Sequence, residues 1–276
     1  MSSDGPRTTT IDKGDIRLHM FTSPEVGEMV NSHVIETPNA LIVVDVPLYK
    51  PFAEAFRTYL DGLGKPIAKI LITHAHPDHW FTVSQFQDHA TFAFQEALDE
   101  MAVLKDLAYG YHSSIHPDLV PDVVTLPSDV AEEGPIEIDG VTLILHKVRD
   151  AEATATMAVE IPAINTLIAQ DLVYDRCYAY VATKDAAGES TIGSWIGHLE
   201  ALARRDFDLV LPAHGEASDS SIFDANIAYL RFAADVLASA RTGDDMIRQF
   251  KERYPDYRLD LMLTMSAYML YPSAEA

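Results

Sequence analysis

Three histidines and an aspartate crowd into the short segment Thr73-His74-Ala75-His76-Pro77-Asp78-His79. Imidazole nitrogens and carboxylate oxygens are the usual ligands of zinc and other divalent ions, so this density of donors points to metal binding. The plainer reading is a polar turn. A solvated loop, however, has no reason to collect three imidazoles, and a core would not bury them beside an unpaired Asp78. The run just before them, Ile67-Ala68-Lys69-Ile70-Leu71-Ile72, has the length and β-branched content of a buried strand. The donors therefore sit on the turn leaving a strand end, where a rigid scaffold aims loop side chains at one point.

The pattern His-x-His-x-Asp-His resembles the signature of the metallo-β-lactamase superfamily, and other segments resemble that family's landmarks in the right order. Ala40 to Asp45 is similar to its early strand, whose last aspartate supports the site from behind. Leu167-Ile168-Ala169-Gln170-Asp171 is similar to the strand that ends in a metal-bridging aspartate, and Leu209 to Gly215 to the late strand that delivers a last histidine, here His214. The resemblance implies an α/β fold, a four-layer αββα sandwich with the site at one sheet edge, in a single domain spanning 1–276 whose part from 218 onward is a helical extension. It also implies a cofactor of two divalent ions, Zn2+ foremost with Mn2+ or Fe as alternatives. His74, His76 and residue 152 would hold one ion, Asp78, His79 and His214 the other, with Asp171 between them.

One landmark departs. Where the family carries a histidine in a Gly-His-Thr-x-Gly-Ser type segment, an ungapped comparison places Glu152, within Ala151-Glu152-Ala153-Thr154. Glutamate is a competent zinc ligand, but its hard oxygen donors and added charge tilt the site toward iron or manganese. Two other readings stay open: Glu152 is a surface carboxylate and the ligand is lost, or Asp150 takes its place. The implied activity is metal-assisted hydrolysis, with Asp78 also orienting or deprotonating the attacking water. The substrate class expected is a small ester, lactone, thioester or amide. The rival expectations are a one-iron enzyme similar to the family's sulfur dioxygenases and a non-catalytic binding protein on the same scaffold.

Charge narrows the partners. The net charge of −22, from 42 acidic against 20 basic residues, leaves no basic stripe to track a phosphate backbone, and Arg204-Arg205 is the densest cationic pair. Nucleic acid and anionic membrane surfaces are therefore disfavoured, and a small-molecule substrate is favoured. No run approaches the length of an apolar membrane span. The polar start, Met1 to Thr10, lacks the apolar core of a signal peptide, which sets the expectation of a cytoplasmic protein. The one cysteine, Cys177, excludes an internal disulfide and a thiolate cluster, and it reads as a small buried hydrophobe although it stands six residues after Asp171.

The elements that must position these residues are legible in outline. Ile16 to Phe21 and Val30 to Ile35 alternate as strands do, and Pro51 to Leu63 reads as an amphipathic helix closed by Gly64 and Pro66. Trp80-Phe81-Thr82-Val83 reads as the start of a helix, 123–170 as the second sheet, and the segment with Trp195, Ile196, Leu199 and Leu202 as a helix. Residues 101–122, with Tyr109, Tyr111, His112 and His116, read as a loop forming a lid. Residues 178–195, with Tyr178, Tyr180 and Trp195, read as a second pocket wall. His19, His33, His89, His146 and His198 read as structural or surface histidines. After residue 218 the chain reads as helices, the last from Leu259 to Tyr271 and rich in methionine. That helix is expected to pack in the core, with pocket wall or homo-oligomer interface as alternatives.

Overall fold

The structure, a computed structural model, describes residues 5–271. Its first sheet has seven strands in sequential order: β1 (Arg7–Lys13), β2 (Ile16–Thr22), β3 (Asn31–Glu36), β4 (Leu41–Val44), β5 (Ile67–Leu71), β6 (Thr91–Ala93) and β7 (Asp129–Val130). β1 to β4 pair antiparallel and β4 to β7 parallel. The second sheet has five: β8 (Gly134–Ile138), β9 (Val141–Arg149), β10 (Ala155–Ile161), β11 (Thr166–Tyr174) and β12 (Leu209–His214). There β8 to β11 pair antiparallel, and β12 joins parallel to β11.

Helices cover the outer faces: α1 (Lys50–Gly62) and α2 (Gln95–Ile115) on the first sheet, then α3 (Ile192–Ala203), α4 (Ser221–Ser239), α5 (Gly243–Arg253) and α6 (Asp260–Leu270) on the second. Period-two alternation sorts the strands between two cores. Ile42 and Val44 of β4 face inward and meet Met157, Val159, Ile168 and Leu211 across the sandwich. Leu41 and Val43 face outward against Phe56 and Leu60 of α1. Because both faces are covered, β4 reads as a continuous apolar run and β11 is buried at every position. On the second sheet's outer face, Trp195, Leu199, Phe223, Leu230, Phe250 and Leu263 form a third core, so the helices after residue 218 pack on the sheet. This is the expected four-layer αββα arrangement.

Four local expectations are corrected. Residues 7–13, whose first part reads in the sequence only as a polar start, form an exposed edge strand paired along its whole length with β2. The segment 123–170 does not lie wholly in the second sheet, because β7 closes the edge of the first and the second begins at Gly134. Trp80 does not open an α-helix: short 3-10 turns run Pro77–His79 and Val83–Phe86, and Trp80 sits between them with its indole N–H donating to the Ala75 carbonyl. The presumed lid loop is helix for most of its length. The Gln95 to Lys105 stretch is rich in good helix formers, and α2 carries on to Ile115 until the residue before Pro117, which disfavours helical backbone.

Candidate metal centre

Three of the four histidines of the centre are held through Nδ1 so that Nε2 faces the site. Asp45, at the end of β4 with φ of 63°, is the hub. It accepts from the Thr73 amide at 2.7 Å, the Thr73 hydroxyl at 2.7 Å, His79 Nδ1–H at 2.8 Å and the Gln170 amide. The Thr73 hydroxyl has only one proton and gives it to Asp45, so His74 Nδ1, 3.0 Å from that oxygen, must be the donor there. His214 Nδ1–H donates to the Glu28 carbonyl at 3.0 Å. All three rings therefore turn Nε2 toward the site, the nitrogen left to ligate a metal. Gly215, next to His214, has φ of 102°, and a Cβ there would meet the Asp175 carbonyl oxygen, so only glycine turns the chain at this point.

The facing atoms converge. His74, His76, Glu152 and Asp171 form one group and Asp78, His79, Asp171 and His214 another, each with one donor atom per residue and all of those within 4.8 Å of one another. Six of these atoms are buried without a hydrogen-bond partner: His74 Nε2, His79 Nε2, His214 Nε2, Asp78 Oδ2, Glu152 Oε2 and Asp171 Oδ1. Buried polar atoms are otherwise almost always paired, so six orphans facing one another mark a place for a cation. Their spacing agrees. His79 Nε2 lies 3.3 Å from both Asp78 Oδ2 and Asp171 Oδ2, His214 Nε2 3.3 Å from Asp78 Oδ2, and His74 Nε2 3.4 Å from Glu152 Oε2. The edge of a tetrahedron whose corners lie 2.0–2.1 Å from its centre, as zinc's nitrogen and oxygen ligands do, is about 3.3–3.4 Å. His76 is the looser member, partly exposed and hydrogen-bonded to Glu152 at 2.8 Å. The residues present thus fit divalent ions.

The site polarises itself. Burial alone would discharge these groups, but His79 and His214 hold Asp78 and Asp171 well below the carboxylate range. In turn Asp78, Asp171 and Asp45 lift His79 well above its ordinary value against its burial. Glu152, Asp78 and Asp171 overcome burial at His76 and lift it to about 9. Tyr174 is pushed far up by burial and by the charges of Asp171 and Glu152, so its phenol stays neutral and donates to Asp171 Oδ2 at 3.0 Å while stacking on His214.

The sequence-predicted donors are all brought together, Glu152 among them and fully buried. Asp150 stands apart in a left-handed turn. Of the two supposed pocket walls, only parts face the centre. Tyr180 lies 5.3 Å ring to ring from His76. Tyr178 instead bonds the Tyr254 carbonyl, and Trp195 is buried with its indole on the Leu172 carbonyl. On α2, His112 is buried and hydrogen-bonded to Tyr49 at 2.9 Å, its charged form disfavoured by burial to a pKa of about 4, while Tyr109 and Tyr111 are exposed. His116 lies ring-on-edge beside Tyr49. Cys177 is buried core, its thiol pushed up to about 11 by burial. Among the structural histidines, His19 pairs with Glu36, and His33 is fully buried between the sheets.

Two residues escaped the sequence reading. Tyr174 carries a weak signal, a polar-tipped ring three residues after Asp171 in the same strand. Glu28 carries none, because only the fold brings residues 24–30 against His214.

A sequence-family model described as the metallo-β-lactamase superfamily matches residues 26–272. The chain belongs to this superfamily. Solved structures share its fold. VMB-1 superposes with a TM-score of 0.62 at 16% identity, covering 84% of this chain and 100% of its own. The metallo-β-lactamase from Pontibacter korlensis gives 0.60 at 18%, over 82% and 99%. FIM-1 from Pseudomonas aeruginosa, in a mono-zinc form, gives 0.61 at 16%, over 83% and 96%. Among curated proteins none matches significantly. Among the described residues no helix is long and apolar enough to cross a membrane.

Proposed function

We propose that this superfamily member is a metal-dependent hydrolase acting on a small organic ester, lactone, thioester or amide. The observation that carries the reading is the convergence of six buried, unpartnered donor atoms from two groups that share Asp171. His74, His76 and Glu152 would hold one divalent ion and Asp78, His79 and His214 the second, with Asp171 reaching both: its Oδ2 lies 3.5 Å from His74 Nε2 and its Oδ1 3.6 Å from His214 Nε2. Such ions, when bound, acidify water and polarise a carbonyl oxygen.

The chain's own groups do the rest. Asp78, held as a carboxylate by His79 and His214, would orient the attacking water by accepting its hydrogen bond. Tyr174 fixes Asp171 by its hydrogen bond. Tyr180 stays protonated, pushed up to about 12 by burial and by Glu152, and can donate to a developing oxyanion beside His76. The complete Asp78, His79 and His214 set favours two ions over the one-iron reading. The carboxylate of Glu152 keeps manganese and iron in contention with zinc.

The test is metal analysis of untagged protein purified without chelator, followed by hydrolysis of ester, lactone, thioester and amide panels. Two equivalents of zinc or manganese, with activity lost on chelation and restored by the ion, are expected. One equivalent of iron, or no stoichiometric metal, refutes the proposal.

A further inference from the structure

Two arginines from opposite ends of the chain meet at one cavity. It encloses about 240 Å3 where the turn joining β2 to β3 meets the turn after β12, and Arg7, Ser23, Glu25, Met29, Gly215 and Arg258 line it. None of the metal-centre donors is in its wall, although Gly215 follows His214 and Met29 follows Glu28, whose carbonyl holds that histidine. The frame is tied together. The Thr22 hydroxyl donates to Asn31 at 2.6 Å, and the Asn31 amide donates to the Pro212 and Gly215 carbonyls at 3.0 Å each. Arg258 is fixed through its backbone, its N–H on the Arg176 carbonyl at 3.0 Å and its carbonyl accepting from the Tyr178 N–H at 2.9 Å.

The polar groups of this wall are unevenly matched. Arg7 gives its guanidinium to Glu216 at 2.5 Å. The Arg258 guanidinium pairs with no carboxylate among the described residues. Ser23 is 2% exposed, and its hydroxyl is buried without a partner. A buried hydroxyl is almost always paired, so this one asks for an acceptor. A cation without a counter-ion beside a spare hydroxyl donor suits an anion. Glu25, exposed on the rim, reaches neither arginine, and its charge works against a ligand with more than one negative charge. Pro24 and Met29 add an apolar side to the wall. The volume is below the roughly 300–1,000 Å3 of sites for drug-sized ligands, which limits the occupant to a short chain.

We propose that this cavity binds a small monocarboxylate with a short apolar chain, at a place separate from the metal ions. Arg258 takes the carboxylate through two parallel N–H groups, the geometry that a planar guanidinium offers and an ammonium does not. Ser23 turns its hydroxyl onto the same carboxylate, and Pro24 and Met29 cover the chain. The inference does not depend on the reaction proposed for the metal centre.

Butyrate and its uncharged counterpart butyramide are titrated calorimetrically into metal-loaded protein, with metal content and melting temperature recorded for every variant. Butyrate is expected to bind at least about tenfold tighter than butyramide. Arg258→Gln should remove that preference, Arg258→Lys should restore part of it, and Ser23→Ala should weaken butyrate by a smaller factor. Glu25→Gln should tighten butyrate by removing a like charge from the rim. Carboxylates also ligate metal ions, and Arg258→Gln separates the two places: unchanged butyrate affinity in a folded variant puts the ligand on the metals and overturns the proposal. Equal binding of the two ligands by the wild type overturns it as well. If Arg258→Gln does not fold, Ser23→Ala and Glu25→Gln carry the test, and butyrate binding unmoved in both refutes the site.

Discussion

Asp45→Asn tests whether the residue behind the metal centre sets the ligand tautomer of His79. Asp45 accepts four hydrogen bonds through its two oxygens, one on Oδ1 from the Thr73 amide and three on Oδ2. Asparagine keeps the first but turns an NH2 toward the other three donors. Thr73 can rotate its hydroxyl. Gln170 can flip its amide, because its Oε1 is buried and unpartnered and would accept from the new NH2. His79 has no such escape. Its Nδ1–H must either face another donor or move its proton to Nε2, the atom aimed at the metal centre. One charge-assisted bond is thus lost outright, about 1.5–3 kcal/mol. For a chain of this size each kcal/mol corresponds to roughly 2–4 °C in melting temperature, so the metal-free protein should melt about 3–12 °C lower. Metal affinity should split: loss of a partner behind a ligand typically costs 10–100-fold, and only at the ion held by His79. Thermal melts and competition with a chromophoric chelator read both quantities. Two wild-type affinities in the variant would refute the tautomer argument, and so would an equal loss at both ions in a folded protein.

Glu152→Ala should remove the ion held by His74 and His76 and leave the other equivalent bound, which metal analysis checks; unchanged stoichiometry would take Glu152 out of the centre. Glu96 is held at about 2, below the ordinary carboxylate value, chiefly by its bond from Lys147, with Arg149 adding to it. A depressed folded-state pKa contributes stability that is fully present above the unfolded value near 4.5 and is lost as pH falls toward 2. Glu96→Gln should therefore flatten the decline of melting temperature between those limits relative to wild type, and parallel acid limbs would contradict the sign.

The spacing of His74, His76, Asp78 and His79 after an apolar strand was legible because ligation by a turn is local chemistry: the donors lie within one loop. The αββα layering was legible for a related reason, since strand alternation and helix periodicity state which faces must be covered. Glu152 could be placed only by comparison with a family pattern, and its burial beside His74 became evident only when β10 and β11 were paired. Tyrosines, histidines, serines and a glycine give α2 a loop-like composition, whereas packing of Ala97 and Met101 against the first sheet, and of Ala108 against Tyr49 and Phe81, holds it helical. Local sequence thus determined the metal-binding turn and the order of the layers. The tertiary structure alone decided which ring nitrogens face the centre and what holds each histidine from behind. Asp45 and His79, or Glu28 and His214, are far apart in the chain, and their encounter depends on how the sheets stack.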